Sequence, residues 1–322
     1  MTERGQGRQP FRIAARAMRQ LGAELITSDE MALYELIKNG FDARSPRTVV
    51  AISAPADASA VALVREQLAM GKITTQVALE RLEKTLSSDL NLQQRVQILS
   101  EFREHASTCS VLRDHLDAFI RDNFWIEVKD TGSGMSADDL HDKFMLVGTP
   151  NRLDEKSSGT RTILGEKGIG RLSMMKLGEV ACVHSKVKGS TVWHTIQFDW
   201  KKFDEPGAEL GQVFFDVLPG PSEAPEVHGT VIRITELLAH WSATKVNDFL
   251  NKYVRRLQDP YAKPRRPYPI DVLLNGHRLP IVPIPSWLLD VAQFQCEIIY
   301  TPSITDADSV ALRREVKWKG GI

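Results

Sequence analysis

FWIEVKDTGSGM, residues 124–135, is the stretch on which the reading of this chain turns. Its first half is rich in aromatic and β-branched residues and predicts a strand ending at Asp130. Two glycines follow at once, Gly132 and Gly134, and glycine lets a flat ligand or a second backbone come close. A carboxylate at the strand end can accept a hydrogen bond from an exocyclic amine. Taken alone, a DxGxG string reads equally well as a tight turn between strand and helix. Ser136 is placed to cap the next helix, expected to run to about Val147.

Toward the C-terminus, residues 148–168 (GTPNRLDEKSSGTRTILGEKG) have loop composition. Gly165, Gly168 and Gly170 then space a GxxGxG motif into the start of a helix, expected from about Ile169 to Lys176. The N–H groups and dipole at such a start face an anion. By itself the motif is weak. Its spacing is not the dinucleotide fingerprint, and the chain has no GxxxxGK[ST] loop. Four strand-like segments come next: EVACVHSKV (179–187), TVWHTIQFD (191–199), QVFFDVL (212–218) and GTVIRIT (229–235). Short strands in succession imply antiparallel pairing, with helices gathered on one face. The fold class expected is α+β, a two-layer α/β sandwich. After about residue 241 a helix (KVNDFLNKYVRRLQDP) and a proline-rich basic segment open a second unit.

Toward the N-terminus, a strand (TVVAIS, 48–53) precedes a segment of different character, about 56–122, with helical spacing and two or three helices. Residues 11–26 predict one helix. Another begins at Thr27, where Thr27-Ser28-Asp29-Glu30 has the form of a capping box, and ends near Ser45-Pro46. At about 100° per residue, Asn39 lies near +40° and Asp42 near −20° from Glu35, with Leu33, Leu36, Ile37 and Phe41 on the opposite half. One helix with such a stripe is ordinarily an amphipathic surface helix.

The motifs in order are ExxxNxxD on a helix, DxGxG after a strand, GxxGxG before a helix, and Gly229-Thr230 in a late strand. This set closely resembles the GHKL ATPase superfamily of gyrase, heat-shock chaperones, histidine kinases and MutL. ELIKNGFDA, DTGSGM and GEKGIGR are similar to the chaperone, MutL and MORC-like branches. The resemblance spans about residues 12–238. It implies ATP and Mg²⁺ as cofactors, with Glu35 as the base that activates water and Asn39 as the Mg²⁺ ligand. It assigns Asp130, helped by Thr230, to adenine, and Gly132, Gly134 and Met135 to the adenine slot. Asp42 falls where a residue supports that pocket. Gly165, Lys167, Gly168, Ile169 and Gly170 would wrap the phosphates beneath a lid of about 147–168; an exposed lid lysine is an equal reading of Lys167.

The same resemblance implies an N-terminal arm at 1–11, an ATPase domain at 12–240, and the front of a transducer-like domain at 241–322. Family members join the first strand to the DxGxG strand briefly, whereas about 70 residues intervene here, either a partner-binding insertion or a private packing element. The chain stops at WKGGI with no evident closing element, which fits the front of a longer protein.

The 322 residues carry 41 Lys plus Arg against 41 Asp plus Glu, so no global field draws in nucleic acid or anionic membrane. A local nucleic-acid contact is open to Lys252, Arg255, Arg256, Lys263, Arg265 and Arg266, with Tyr253, Tyr261 and Tyr268 interleaved; a solvated surface with structural tyrosines is the blander reading. Cys109, Cys182 and Cys296 show no metal-ligand or redox spacing. No apolar run is long enough for a bilayer and no leader sequence opens the chain, so a cytoplasmic location without membrane contact is expected.

The expected activity is ATP hydrolysis coupled to lid closure and an ATP-dependent homodimer, serving an unidentified protein partner or client, or DNA in repair or defence. Two other classes stand beside it: a binding module that senses ATP without turnover, and a protein histidine kinase, for which His105 and His115 in the insertion are the candidates on hand.

Overall fold

The computed structural model describes residues 12–147, 170–257, 269–283, 294–302 and 310–318. The chain forms two compact units, Met1–Ile281 and Val282–Ile322. In the first, helices α1 (Arg16–Leu25) and α2 (Asp29–Asp42) precede strand β1 (Thr48–Ser53). Four helices follow: α3 (Ala58–Ala69), α4 (Thr75–Thr85), α5 (Leu92–Glu104) and α6 (Cys109–Asn123). Strand β2 (Trp125–Asp130) leads through a short π-helical turn (Asp139–Phe144) and a 3-10 turn (Gly170–Leu172) to α7 (Ser173–Leu177). Strands β3 (Gly178–Lys186), β4 (Val192–Asp199), β5 (Val217–Ser222) and β6 (Gly229–Leu237) come next, then α8 (Ala243–Lys252), β7 (Ile270–Leu274) and β8 (His277–Leu279).

These strands make one sheet in the order β5-β4-β3-β6-β2-β1-β7-β8. Every pairing is antiparallel except β1 with β7. The α+β sandwich expected from the strand run is therefore the fold. Alternation sets its inner face: Val50 and Ile52, Ile126 and Val128, Ala181 and Val183, and Ile232 and Ile234 are buried together with Ala32, Leu33, Leu36 and Ile37 of α2. The second unit contributes the antiparallel pair β9 (Phe294–Pro302) and β10 (Val310–Trp318).

Several local expectations need correction. The cap of α2 is Ser28, whose side chain accepts from the Met31 amide, not Thr27; extended backbone at Ser28 (φ −149°, ψ 163°) brings that hydroxyl to the third helical amide. The first helix is shorter than 11–26, starting at Arg16. The insertion holds four helices rather than two or three, each begun by its own polar cap: Asp57, Thr74, Asn91 and Thr108. Residues 212–216 are not strand. Phe215 turns into an aromatic cluster with Phe198, Trp200 and Phe203, so β5 starts only at Val217. Pro219 and Pro221 are tolerated there because β5 is an edge strand. The helix after Ser136 ends at Phe144 rather than Val147. Beyond the boundary expected near 241, β7 and β8 lie in the same sheet as the motifs.

Candidate functional site

Helix α2 carries the polar stripe Glu35, Asn39 and Asp42 on the side opposite its buried face. Its apolar residues Leu33, Leu36 and Ile37 are buried, which turns Glu35, Asn39 and Asp42 away from the core, each only partly exposed. Gly40 is buried as well; a glycine there costs helix stability but leaves no side chain to accommodate.

The C-terminal end of α2 is fastened to the DxGxG turn. The Ser133 amide donates to the Ala43 carbonyl at 2.9 Å, and the Thr131 amide donates to the Ser45 hydroxyl at 2.9 Å. Here glycine is required twice. A Cβ on Gly132 would lie 2.6 Å from the Ala43 carbonyl oxygen, and one on Gly134, at φ +68°, would lie 1.9 Å from the carbonyl oxygen of Lys186. The turn is thus pressed between α2 and β3.

Asp130 closes strand β2 opposite Thr230 of β6. Its Oδ1 accepts the Gly132 amide at 2.7 Å. Burial pushes the Asp130 carboxyl above the usual carboxylate range; amide donors from Gly132 and Thr230 and the nearby His228 ring pull the other way without restoring it. Thr230 meets the buried Ser185 hydroxyl at 2.9 Å. Ser185 also donates to the Gly229 carbonyl and accepts the Met135 amide at 2.9 Å. One hydroxyl thereby ties three expected site positions together: Gly229, Thr230 and Met135.

One turn back along the stripe, Asn39 meets Gly170, the last glycine of the second motif. A Cβ on Gly170 would come within 3.3 Å of both the amide oxygen and the nitrogen of Asn39. Gly170 opens the turn that leads into α7, and α7 packs on α2. Gly165, Lys167, Gly168, Ile169 and almost all of the expected lid, 148–168, lie outside the described residues.

The residues in view fit a nucleotide with its divalent ion. The partly buried Asp130 carboxylate suits the exocyclic amine of a base, and an amide oxygen such as that of Asn39 suits a hard cation. Sequence reasoning did not single out Ser185, His228 or Lys38. His228 holds the Gly132 carbonyl through Nδ1 at 2.7 Å, and Lys38 holds Glu35. Ser185 follows Ala181 and Val183 at the inward positions of EVACVHSKV, which marks it as a buried hydroxyl and not as a site residue.

Other candidates sit apart from this site. His105 and His115 stack ring on ring at 3.9 Å within the insertion, and burial and the neighbouring His105 lower the tendency of His115 to take up a proton. In the basic run, Tyr253 packs against Tyr34 and Phe249 as a structural side chain, while Lys263, Arg265 and Arg266 lie outside the described residues. No described helix is long and apolar enough to cross a membrane.

Residues 94–213 match the family model described as Histidine kinase-, DNA gyrase B-, and HSP90-like ATPase. The matched span includes the DxGxG turn and the GxxGxG motif; Glu35, Asn39, Asp42 and Thr230 lie outside it. No curated protein matches the chain.

Proposed function

We propose that this chain, which belongs to the GHKL ATPase superfamily, binds Mg-ATP between α2 and the two glycine motifs and hydrolyses it with Glu35 as the base. The observation that carries the reading is that α2 touches both motifs within about one helical turn: Ala43 receives the DxGxG turn and Asn39 abuts Gly170. A helix so placed can serve the base end and the phosphate end of one nucleotide at once.

In this reading Asp130 accepts from the adenine amine, Gly132, Gly134 and Met135 line the slot, and Thr230 and Asp42 support it. Asn39 would hold Mg²⁺, which when bound offsets the charge of the phosphates. Gly165, Lys167, Gly168, Ile169 and Gly170 would surround the phosphates. Glu35 takes a proton from water as the water oxygen bonds to the γ-phosphorus. The bond from that phosphorus to the β–γ bridging oxygen breaks, and its electron pair leaves on ADP. Closure of residues 147–168 and pairing with a second copy would couple turnover to a change of shape.

The test separates binding from chemistry. Glu35→Ala is expected to retain ATP affinity while losing about a hundredfold to ten-thousandfold in hydrolysis rate. Asn39→Ala is expected instead to weaken the Mg²⁺-dependent part of binding, read by calorimetry with and without the ion. Wild-type turnover in Glu35→Ala would remove Glu35 as the base.

A further inference from the structure

Lys38 stands one turn beyond Glu35 on α2, and its ammonium donates to both carboxylate oxygens, at 3.0 Å to Oε1 and 3.2 Å to Oε2. Ion pairs on open helix surfaces contribute little, because water screens them and two long side chains must be ordered. This pair is more enclosed: the Lys38 side chain is 15% exposed and that of Glu35 28%. The ammonium also lies 5.6 Å from the centre of the Tyr34 ring, within range of a cation–π attraction. Tyr34 is backed in turn by Tyr253 at 5.8 Å between ring centres, and Tyr253 stacks on Phe249 of α8. Farther along the same two helices, Lys245 of α8 bridges to Asp29 of α2 at 2.7 Å. Lys245 and Tyr253, at the start and just past the end of α8, thus meet Asp29 and Tyr34 of α2 in the same order, and Tyr253 backs the ring on which Lys38 rests.

From this arrangement we infer that Lys38 is a positioning residue for the hydrolytic step, setting the direction of the Glu35 carboxylate through a packed ammonium that α8 holds in place. The inference rests on the reading of Glu35 as the base. A glutamate side chain has several free torsions, and a base must present one oxygen within hydrogen-bond reach of the water it activates. Ordering the carboxylate before the nucleotide arrives removes that search from the reacting complex, and misplacement of about 1 Å costs about a hundredfold in rate. The proton from water goes to Glu35 alone. A direct contact from Lys38 to phosphate is the competing role, and it makes a different prediction.

The experiment measures steady-state ATP hydrolysis for Lys38→Met and Lys38→Arg, each alone and combined with Glu35→Ala. Thermal melting and the affinity for a non-hydrolysable ATP analogue accompany each variant. Lys38→Met alone should lower kcat about tenfold to a hundredfold with KM changed less than about threefold, while Lys38→Arg recovers most of the loss. In the Glu35→Ala background, Lys38→Met should lower kcat no further, since its effect passes through the missing carboxylate. An unchanged or raised kcat in Lys38→Met overturns the proposal. So does a further fall in the Glu35→Ala background, which would place Lys38 on the phosphate. If Glu35→Ala by itself turns over like the wild type, the base assignment fails instead, and that result is read before any Lys38 variant is made.

Discussion

Asp130 is held in an environment that disfavours its own charge, and the nucleotide needs that charge as an acceptor. Burial raises its carboxyl above the ordinary range, so the fold disfavours the charged form relative to the unfolded chain. The sign follows: this group costs the apo protein stability at pH above its raised value, and the cost is relieved as pH falls through the window between the raised and the ordinary value. ATP affinity should move oppositely, weakening as pH falls through that same window, where an unperturbed carboxylate would still be ionised. Asp130→Asn tests both signs. Titration calorimetry should show most ATP affinity lost, because an amide can present a donor where the base amine needs an acceptor, and a mispaired buried group costs about 1–3 kcal/mol or more. The melting temperature of the apo protein at neutral pH should not fall, since the substitution removes a disfavoured charge; ATP affinity equal to wild type would take Asp130 out of the site. Glu35, Asn39 and Asp130 were each marked as candidates by residue type and order. Ser185 was not, because its importance lies in meeting Met135, Gly229 and Thr230 from two other segments, which no local pattern announces.

At the scale of elements, β1, β2 and α2 were readable because their signals are local: β-branched runs, an apolar stripe and a polar cap. The β5 segment was misread for the opposite reason, since Phe215 in QVFFDVL looks like strand alternation and is drawn instead into the cluster around Trp200. The parallel pairing of β1 with β7 was invisible, as it joins residues more than 200 positions apart. That pairing gives the helical insertion a dock. Asn275, in the β7–β8 turn at φ 48°, accepts the Ala54 amide through its side chain and donates to the Ala54 carbonyl and to Asp89, while its own carbonyl receives the Gln94 side chain. Both ends of this buried amide are paired with the insertion or its entry. Asn275→Ala should therefore cost about 1–3 kcal/mol by urea denaturation. Hydrogen exchange should quicken at Ala54 and across 87–94, with the amides of Gly132 and Ser133 unaffected. Equal loss of protection at both places would mean that the turn supports the whole sheet rather than the insertion.

At the scale of the whole molecule, proteins of this superfamily commonly dimerise, and the proposed function requires a change that nucleotide can drive. Two stretches bear on it by composition: residues 1–10 are polar and carry Gly5, Gly7 and Pro10, and the centre of the lid, Ser157-Ser158-Gly159, offers no apolar side chain to a core. Both lie outside the described residues. A ligand shifts an equilibrium only by its differential affinity for the two states, and bound phosphates supply that difference if the glycine motif closes on them. Glu35→Ala is the protein to use, because it should keep ATP bound without consuming it. Light scattering with a non-hydrolysable ATP analogue should show the mass of a dimer, and without nucleotide the mass of a monomer. Removing residues 1–10 should return the nucleotide-bound sample to monomer while leaving analogue affinity within about threefold, because the arm makes its contribution across the pair and not at the base or phosphate ends of the site. A monomer under every condition would end the dimer proposal for this chain. A dimer of equal strength with and without nucleotide would detach assembly from the ATP site and leave turnover to drive some other motion of the fold.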